Sequence, residues 1–261
     1  MTAVTLVYHD IVLPGSSHCS GFQGGDAEIY KLTRDDFAAH LSGLAQVVLR
    51  PPVTADALLN GSPEHAVLLS FDDGGVSAFE TTAGLLEARG WRGTFFIVTD
   101  LIGRPGFLDA AQIQALHERG HAIGSHSCSH PNRFAQLSRP EMREEWQRSA
   151  SELARILGQP PLAASVPCGD YSRAVADAAR SAGYRILFNS EPVRRVEEID
   201  GLLIAGRYSV QRGTSTSAAA ALASGAWLAR NRQWAYWNFN KILKRVGGGA
   251  WLKLRRQILN R

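Results

Sequence analysis

Short apolar runs and helix-periodic segments follow one another along most of the chain. The run Val4–His9 and the run from Ala66 to Leu69 are typical of buried strands, because their apolar residues are continuous and short. The segments at about Asp35–Leu49 and Ala110–Arg119 carry apolar residues at helical spacing, which predicts helices. Because the two kinds of element take turns, the chain is expected to form a parallel α/β sheet or barrel.

The remaining elements follow from the same pattern and from the residues that bound it. Thr33, Asp109 and Ser138 are expected to cap helix N-termini, Ser138 in a capping box with Glu141, and Gly158 is expected to end the last of these helices. About seven strand units are predicted in all. The other predicted helices lie at about Ser77–Arg89, from the Ser138 cap to about Leu157, and at Arg173–Ala182. The other predicted strands lie at Phe95–Phe96, Ala163–Pro167, Arg185–Phe188 and Leu202–Val210.

Polar and reactive residues collect where the predicted strands end. In parallel barrels the carboxyl ends of the strands build the site, and six candidates fall there: His9, Asp72, Asp73, His126, Cys168 and Arg207. Neighbouring side chains of a strand point to opposite faces. Asp72 and Asp73 can therefore share one cavity only if the strand gives way at this point, and Gly74 and Gly75 are expected to allow that bend.

His126 and His130 are four residues apart, with Ser127, Cys128 and Ser129 between them. On a helical turn or in a tight loop, this spacing turns both imidazoles toward one point, as a divalent metal requires. Taken alone, such a pair is more often a surface or capping pair, and two adjacent aspartates are more often a solvated turn. The two motifs support a metal site only together.

The chain resembles the polysaccharide deacetylases of carbohydrate esterase family 4, the group related to nodulation deacetylases. Ser70-Phe71-Asp72-Asp73-Gly74 is similar to the first motif of the family, Thr-Phe-Asp-Asp-Gly, and His126-Ser127-Cys128-Ser129-His130 to its second, His-Ser/Thr-x-x-His. Between them, Gly93-Thr94-Phe95-Phe96 and Gly120-His121-Ala122-Ile123-Gly124 also resemble family segments, in the same order. The resemblance covers roughly residues 1–215 and implies a distorted (β/α)7-type barrel, with residues 216–261 as a basic, aromatic-rich helical extension.

The resemblance also implies roles for individual residues. Asp73, His126 and His130 are expected to bind a metal, zinc first and cobalt or nickel as alternatives, and Asp72 is expected to be the general base. Ser165-Val166-Pro167-Cys168-Gly169-Asp170-Tyr171 looks like a variant of the third motif, Arg-x-Pro-x-Gly. A backbone N–H at Cys168 is then expected to stabilise an oxyanion, and Pro167, Gly169 and Tyr171 are expected to contact substrate.

Two positions depart from the family pattern. Ser165 stands where the family has the Arg that orients the catalytic aspartate, and we expect Arg207, from a later strand, to reach Asp72 instead; the alternative is an ordinary salt bridge. The family also has a late His as general acid, whereas this chain has no histidine after His130. His9 is the expected replacement, and the alternative is that it is a structural histidine.

Charge divides the chain into two parts. Residues 1–200 contain 17 Lys and Arg against 24 Asp and Glu, whereas residues 201–261 contain 11 Lys and Arg and no acid. The basic part is also rich in tryptophan, and the segments Trp234–Arg245 and Trp251–Arg256 mix indoles with cations as interfacial helices do. This part is expected either to meet an anionic membrane surface or to pack on the barrel. Nucleic acid is not an expected partner, because the sequence contains no known nucleic-acid-binding motif.

The function expected from these observations is metal-dependent de-N-acetylation of N-acetylhexosamine units. The resemblance is closest to cytoplasmic deacetylases of exopolysaccharide and holdfast synthesis, so the expected substrate is an exopolysaccharide or its lipid-linked precursor. The first residues, Met1–His9, do not read as a signal peptide, and the three cysteines have no disulfide-like spacing, which favours the cytoplasm, at the inner face of the membrane. The alternatives are a glycan-binding pseudoenzyme and a membrane-associated assembly factor.

Overall fold

The computed structural model describes residues 1–61 and 65–239. The strands are β1 (Ala3–Tyr8), β2 (Ile11–Val12), β3 (Leu32–Thr33), β4 (Ala66–Phe71), β5 (Thr94–Ile97), β6 (Ala122–Ser125), β7 (Ala163–Ser165), β8 (Ile186–Phe188), β9 (Val196–Ile199), β10 (Leu202–Ala205) and β11 (Tyr208–Ser209). The helices are α1 (Gly25–Glu28), α2 (Arg34–Ala45), α3 (Ala83–Glu87), α4 (Ala110–Glu118), α5 (Arg139–Leu157), α6 (Arg173–Ser181) and α7 (Thr216–Ala223). Residues 227–239 form a further helical stretch.

The main sheet has nine strands in the order β11-β1-β4-β5-β6-β7-β8-β10-β9. All its pairings are parallel except that of β9 with β10. The β9 edge returns to the start of β1 through an antiparallel bridge between Thr2 and Arg195, and the Ala3 N–H donates to the Arg194 carbonyl. The expected distorted α/β barrel is therefore confirmed: eight parallel strands curl round, and one antiparallel strand, β9, lies at the join.

Side chains of β4 show how the barrel is filled. Val67, Leu69 and Phe71 belong to the apolar layer under the surrounding helices. Ala66 and Leu68 belong instead to the layer inside the barrel, with Phe96, Ala163, Ile186, Phe188 and Ala205 from other strands. Because a strand alternates its faces, Ser70 and Asp72 continue the inner row toward the carboxyl end. β4 is buried along its length, as expected, because apolar layers cover both of its faces.

Several predicted helix ends are confirmed. The Thr33 hydroxyl accepts the Asp36 N–H, and Asp109 and Ser138 each form a capping box. Gly158 ends α5 in the left-handed region. The helix predicted over Ser77–Arg89 begins instead with a π-helical turn, Ala78–Thr82, before α3.

The strand predicted over Leu202–Val210 is wrong as a single element. It breaks at Gly206 and Arg207 into β10, which pairs with β8, and β11, which pairs with β1. A Cβ at Gly206 would lie 2.1 Å from the Glu191 carbonyl, so this close approach of two backbones needs glycine. The Arg207 N–H donates to the same carbonyl. The break matters because it places Arg207 inside the barrel.

The chain also contains elements that its pattern did not predict. β9 has two exposed glutamates in its centre, so it has no strong periodic signal, whereas α7 lies within the extension that was expected to be helical. α7 packs against α2 and buries Ala219, Leu222 and Ala223 in the outer apolar layer. In the described part of the chain, no helix is both long and apolar enough to cross a bilayer. The predicted segment Trp251–Arg256, and Trp234–Arg245 beyond residue 239, lie outside the described residues.

Candidate active site

Asp72 and Asp73 follow β4 directly. The Asp72 N–H donates to the Tyr8 carbonyl, which extends the pairing of β4 with β1 by one residue and keeps Asp72 in the inner row. Asp73 would point outward by alternation, but its backbone is left-handed, with φ of 77°. This conformation is uncommon for a non-glycine residue. It reverses the alternation and lets both carboxylates face the same cavity.

The bend therefore begins one residue earlier than the glycine pair suggested. Gly74 has φ of 78°, as expected, but Gly75 is not in the left-handed region. A Cβ at Gly75 would lie 2.0 Å from Asp10 Oδ1. Asp10 is buried and accepts a hydrogen bond from the Ser77 hydroxyl at 2.8 Å. The second glycine is required because Asp10 ties the loop after β1 to the loop after β4.

His126 and His130 lie on a tight loop after β6, which decides between the loop and the helical turn. Ser127 and His130 both have positive φ, of 66° and 57°. The loop is held by backbone bonds from the Thr99 and Asp100 N–H groups to its carbonyls, and the His130 N–H donates to the Ser127 hydroxyl at 3.1 Å. These bonds fix two strained residues so that both imidazoles turn inward.

Asp73, His126 and His130 form a donor trio. Their ligand atoms all lie within 4.8 Å of one another. Asp73 Oδ1 is 3.5 Å from His126 Nε2 and 3.6 Å from His130 Nε2. Three ligands at about 2.0–2.1 Å from one tetrahedral metal would be about 3.3 Å apart, so the trio has nearly the spacing that such an ion needs. One carboxylate and two imidazoles fit zinc, cobalt or nickel.

The protonation of the trio also suits a cation. Burial lowers the pKa of His126 to about 3 and lowers the pKa of His130 as well, so both rings are neutral. The Nδ1 of His126 lies 2.9 Å from the Ser165 carbonyl, and as donor it leaves the Nε2 lone pair facing the trio. Burial, with the nearby charges of Asp72 and Asp10, raises the pKa of Asp73 to about 7 despite the opposing charge of His9. A cation would relieve this accumulation of negative charge.

Asp72 is held by Arg207. The guanidinium donates to both carboxylate oxygens, NH1 to Oδ1 at 2.7 Å and NH2 to Oδ2 at 2.8 Å. Both side chains are buried, and the guanidinium also lies over the Phe96 ring, 5.7 Å from its centroid. Burial alone would raise the pKa of Asp72, but the charge and the hydrogen bonds of Arg207 outweigh it and hold that pKa far below its ordinary range. Asp72 is therefore ionised.

Ser165 completes this ion pair. Its hydroxyl accepts from Arg207 NH2 at 2.7 Å and donates to Asp72 Oδ2 at 3.3 Å. Ser165 stands at the position where the family pattern has Arg. It contacts Arg207, which lies between β10 and β11. The Arg207 guanidinium lies inside the barrel between β7 and β4. It is next to the inward-facing side of β7, which carries Ala163 and Ser165.

Glu145 is a site residue that sequence reasoning missed. It lies on α5, and its Oε2 accepts the backbone N–H groups of Cys128 at 3.0 Å and Ser129 at 2.8 Å. Its other oxygen accepts the Ser129 hydroxyl. Glu145 therefore anchors the centre of the loop between the two histidines. No local signal marks it, because its neighbour Glu144 is a similar acid on the same helix.

His9 follows β1 at the edge of the same cavity. Its ring lies 4.5 Å from the Tyr30 ring between centroids. Its Nδ1 is buried and has no hydrogen-bond partner among the described residues. The charge of His9 contributes to lowering the pKa of both Asp72 and Asp73, which places it close to the pair. A buried, unpartnered ring nitrogen beside two carboxylates is suited to contact a bound molecule.

The third-motif residues form a turn after β7. Pro167, Cys168 and Gly169 make a 3-10 turn, and Cys168 has positive φ of 54°. A Cβ at Gly169 would lie 2.6 Å from the Ser190 side chain, so glycine is needed there. The Cys168 thiol is 4.0 Å from the Asn132 side chain, just beyond His130. Tyr171 is half-buried beside this turn.

An aromatic side chain covers His130. Phe22, from the long loop after β2, lies 5.0 Å from the His130 ring and 5.4 Å from Phe107 between centroids. The loop is fixed to the loop before α4 by a bond from the Gly21 N–H to the Gly106 carbonyl. Distant loops thus form one wall beside the donor trio. The contact could not be predicted because the loop has no periodic pattern.

The fold and the site define an α/β barrel with one carboxylate and two imidazoles placed to bind a metal at the carboxyl ends of its strands. Residues 60–187 match the family model described as polysaccharide deacetylase, and this segment is a polysaccharide deacetylase domain. It is 27% identical over 155 residues to YxkH of Bacillus subtilis (strain 168), whose name places it among the polysaccharide deacetylases. That alignment covers 59% of this chain and 55% of the relative, so the chain matches about half of the relative's length.

Solved structures with the same fold are also found. The deacetylase PplD of Streptococcus pyogenes, in complex with acetate, has a TM-score of 0.67 and 20% identity, over 83% of this chain and 96% of that one. A de-N-acetylase from Aggregatibacter actinomycetemcomitans has a TM-score of 0.69 and 17% identity, over 83% and 98%. At these identities, the likenesses confirm the fold.

Proposed function

We propose that the protein is a metal-dependent hydrolase that removes acetyl groups from N-acetylhexosamine units of a polysaccharide. The observation that supports this most directly is the donor trio with the ionised Asp72 immediately beside it. In the reaction, water adds to the acetamide carbonyl, the C–N bond breaks, and acetate and a free amine leave. The reaction needs an electrophile, a base for the water, and an acid for the amine.

Asp73, His126 and His130 would hold the metal. When bound, a zinc, cobalt or nickel ion supplies a Lewis acid that polarises the carbonyl and makes a water easier to deprotonate. The neutral imidazoles and the carboxylate with a pKa of about 7 need little proton release to accept a cation near neutral pH. The aromatic ring of Phe22 beside His130 excludes solvent from one side of the trio.

Asp72 acts as the general base in this proposal. Its Oδ2 lies 3.7 Å from His126 Nε2, so it faces the space beside the trio where the attacking water must lie. Arg207 keeps the carboxylate ionised and fixes its plane through two bonds. The same ion pair keeps Asp72 ionised near neutral pH, so its carboxylate is available to accept a proton from the attacking water.

The other roles rest on position. His9 protonates the departing amine, because it follows β1 beside Asp72 in the register with β4 and its Nδ1 has no hydrogen-bond partner among the described residues. The backbone N–H of Cys168 stabilises the developing oxyanion in this proposal, which is supported by the place of Cys168 in the turn that follows β7. Gly169 and Tyr171 extend the same rim toward the sugar.

The finer substrate assignment is an N-acetylglucosamine-type unit of a bacterial exopolysaccharide or its lipid-linked precursor. It is supported by the names of the relatives, which describe a polysaccharide deacetylase and a de-N-acetylase. A cytoplasmic location is supported by Cys19 and Cys128, which are unpaired thiols.

Release of acetate from an N-acetylglucosamine oligomer tests the activity. We expect release by the metal-loaded protein, loss of release with a chelator, recovery on adding zinc or cobalt, and loss in Asp72→Asn. His117→Ala is the matched control, since His117 lies on α4 and contacts Gln159. Metal retained without any release from oligomers of several linkages would contradict the proposal and favour a glycan-binding pseudoenzyme. Normal polysaccharide assembly in cells carrying Asp72→Asn would favour the assembly-factor alternative.

A further inference from the structure

The helical stretch 227–239 has two different faces. One face is held against the barrel: Ala229 packs against the outer apolar layer, and the Gln233 side chain donates to the Ser209 carbonyl of β11 at 2.6 Å. Arg230 donates to the Gly225 carbonyl at the start of the stretch. Residues 229 and 233 are one helical turn apart, so they define the inner face.

The opposite face carries exposed apolar side chains: by helical spacing Trp227, Leu228, Trp234 and Phe239 lie away from Ala229 and Gln233, whereas Tyr236 lies close to Ala229. The described part of the chain has nine exposed large apolar side chains, and five of them lie in this stretch: Trp227, Leu228, Trp234, Tyr236 and Phe239. Trp227 and Leu228 are 71% and 74% exposed. Because the inner face is already occupied, these side chains cannot pack on the barrel by a rotation of the helix. Exposed large apolar side chains are usually scattered singly over a protein surface, whereas here several lie in one short helical stretch.

The charged residues in this part of the sequence all have one sign. Arg232 is exposed on the same stretch. Residues 227–261 contain nine Lys and Arg and no acid, whereas residues 1–200 have an excess of seven acids. A surface of tryptophan, leucine and phenylalanine among cations matches the interfacial region of an anionic bilayer, where indole rings sit at the headgroups.

We propose that the outer face of residues 227–239, defined by Trp227, Leu228, Trp234 and Phe239, docks on an anionic lipid bilayer. A second copy of the chain is a poorer occupant, because a symmetric contact through this face would bring two acid-free basic segments together. The proposal goes beyond the deacetylase activity and does not depend on it. The barrel would then work beside a lipid surface while the helix stays in the interface, without crossing it.

Co-sedimentation of the full chain with vesicles tests the proposal. Vesicles of phosphatidylcholine with about one third phosphatidylglycerol are compared with pure phosphatidylcholine, at low and at high salt. We expect binding to the anionic vesicles that salt weakens, and little binding to the neutral ones. Trp227→Ser combined with Leu228→Ser should weaken binding about tenfold or more, and Arg232→Ser about fivefold.

Matched controls lie elsewhere on the surface. Leu162→Ser removes a side chain that is 41% exposed just before β7, a strand that pairs with neither β11 nor β1, and Arg143→Ser removes an exposed cation of α5. Neither should change vesicle binding, and thermal melts check that each variant is folded. An apolar variant, Trp234→Leu, should retain most of the binding.

The proposal is overturned by three results. The first is no binding of the wild type to anionic vesicles, and the second is equal binding by wild type and the Trp227/Leu228 variant. The third is a concentration-dependent dimer in sedimentation velocity that the Trp227/Leu228 variant abolishes, which would assign the face to a second copy. Acetate release from a soluble oligomer should be unchanged in all these variants, so failure of docking and failure of the catalytic proposal are distinguishable.

Discussion

Two parts of the site are built in different ways. The donor trio, Asp73, His126 and His130, comes from two loops within the segment that matches the family model, and its supports come from the same segment. Arg207 and His9 lie outside that segment, on either side of it along the chain. The trio needs rigid local geometry, whereas a partner for Asp72 can arrive from any strand, because side chains from all strands meet inside a barrel. A missing motif residue can therefore be replaced in space without being replaced in sequence.

The largest effect is expected from breaking the trio itself. His130→Ala removes one of three ligands, so bound metal should fall below detection at equimolar zinc, and acetate release should fall by about a thousandfold or more. Metal content by mass spectrometry and acetate release are measured together. His117→Ala should leave both unchanged. Full zinc binding by His130→Ala would show that the metal lies elsewhere.

His9→Gln tests one of the two site residues that lie outside the matched segment, by comparing substrates with different leaving groups. Loss of a general acid should slow cleavage of an acetamide by about a hundredfold or more. An aryl acetate ester has a leaving group that needs no proton, so its cleavage should change by less than about threefold. Equal losses on both substrates would contradict the acid role and leave His9 as a structural residue packed on Tyr30.

Arg207 tests whether the replacement in space is functional. Arg207→Lys keeps a cation but cannot donate in the same planar, two-bond arrangement, and we expect kcat to fall about 10- to 100-fold with little change in KM. Arg207→Leu leaves the buried Asp72 without its charged partner and should cost about 3–5 kcal/mol of stability, measured by denaturant unfolding.

An exchange of the two positions sharpens this test. Arg207→Ser combined with Ser165→Arg returns the guanidinium to the position that the family pattern gives it, on β7. We expect the exchange to recover part of the activity that Arg207→Ser loses. No recovery, in a protein that melts normally, would show that Arg207 acts through more than its contact with Asp72.

Glu145→Gln tests the internal support of the trio. The amide keeps one acceptor but loses the negative charge that two backbone N–H groups share, so zinc affinity should fall about tenfold. Glu144→Gln is the matched control, because Glu144 is the exposed neighbour on α5. Competition against a chelating dye measures the affinity. Equal affinities in the two variants would remove Glu145 from the site.

The smallest effect is expected away from the site, at Glu87. Its carboxylate accepts two bonds from Arg119 and one from His121. Burial alone would raise the pKa of Glu87, but these partners lower it, and burial lowers the pKa of His121. Groups with depressed pKa values contribute stability at neutral pH that is lost on acidification.

Glu87→Gln should therefore reduce stability by less than about 1 kcal/mol at pH 7. The difference from the wild type should shrink as the pH falls below the ordinary carboxyl pKa of about 4. Thermal melts over this range provide the measurement, and acetate release at pH 7 should not change. A difference that grows on acidification would contradict the ion-pair explanation.

Much of the barrel was predictable, since its elements are long and continuous in the chain. The caps at Thr33, Asp109 and Ser138 depend on neighbours three residues away, so local sequence is enough to identify them. The strand at Leu202–Val210 was mispredicted because its apolar residues continue across Gly206, while the break depends on the Glu191 backbone. β9 lacks a periodic signal, and packing alone stabilises it.

For the site, the sequence by itself determined which residues gather at the carboxyl ends of the strands and which three can bind a metal. Spacing and strand order carry that information along the chain. Only the tertiary structure decided that Asp73 turns inward through a left-handed backbone, that Arg207 pairs with Asp72 beside Ser165, and that Glu145 holds the histidine loop. These contacts join residues far apart in the chain, and they exist only once the barrel has closed around them.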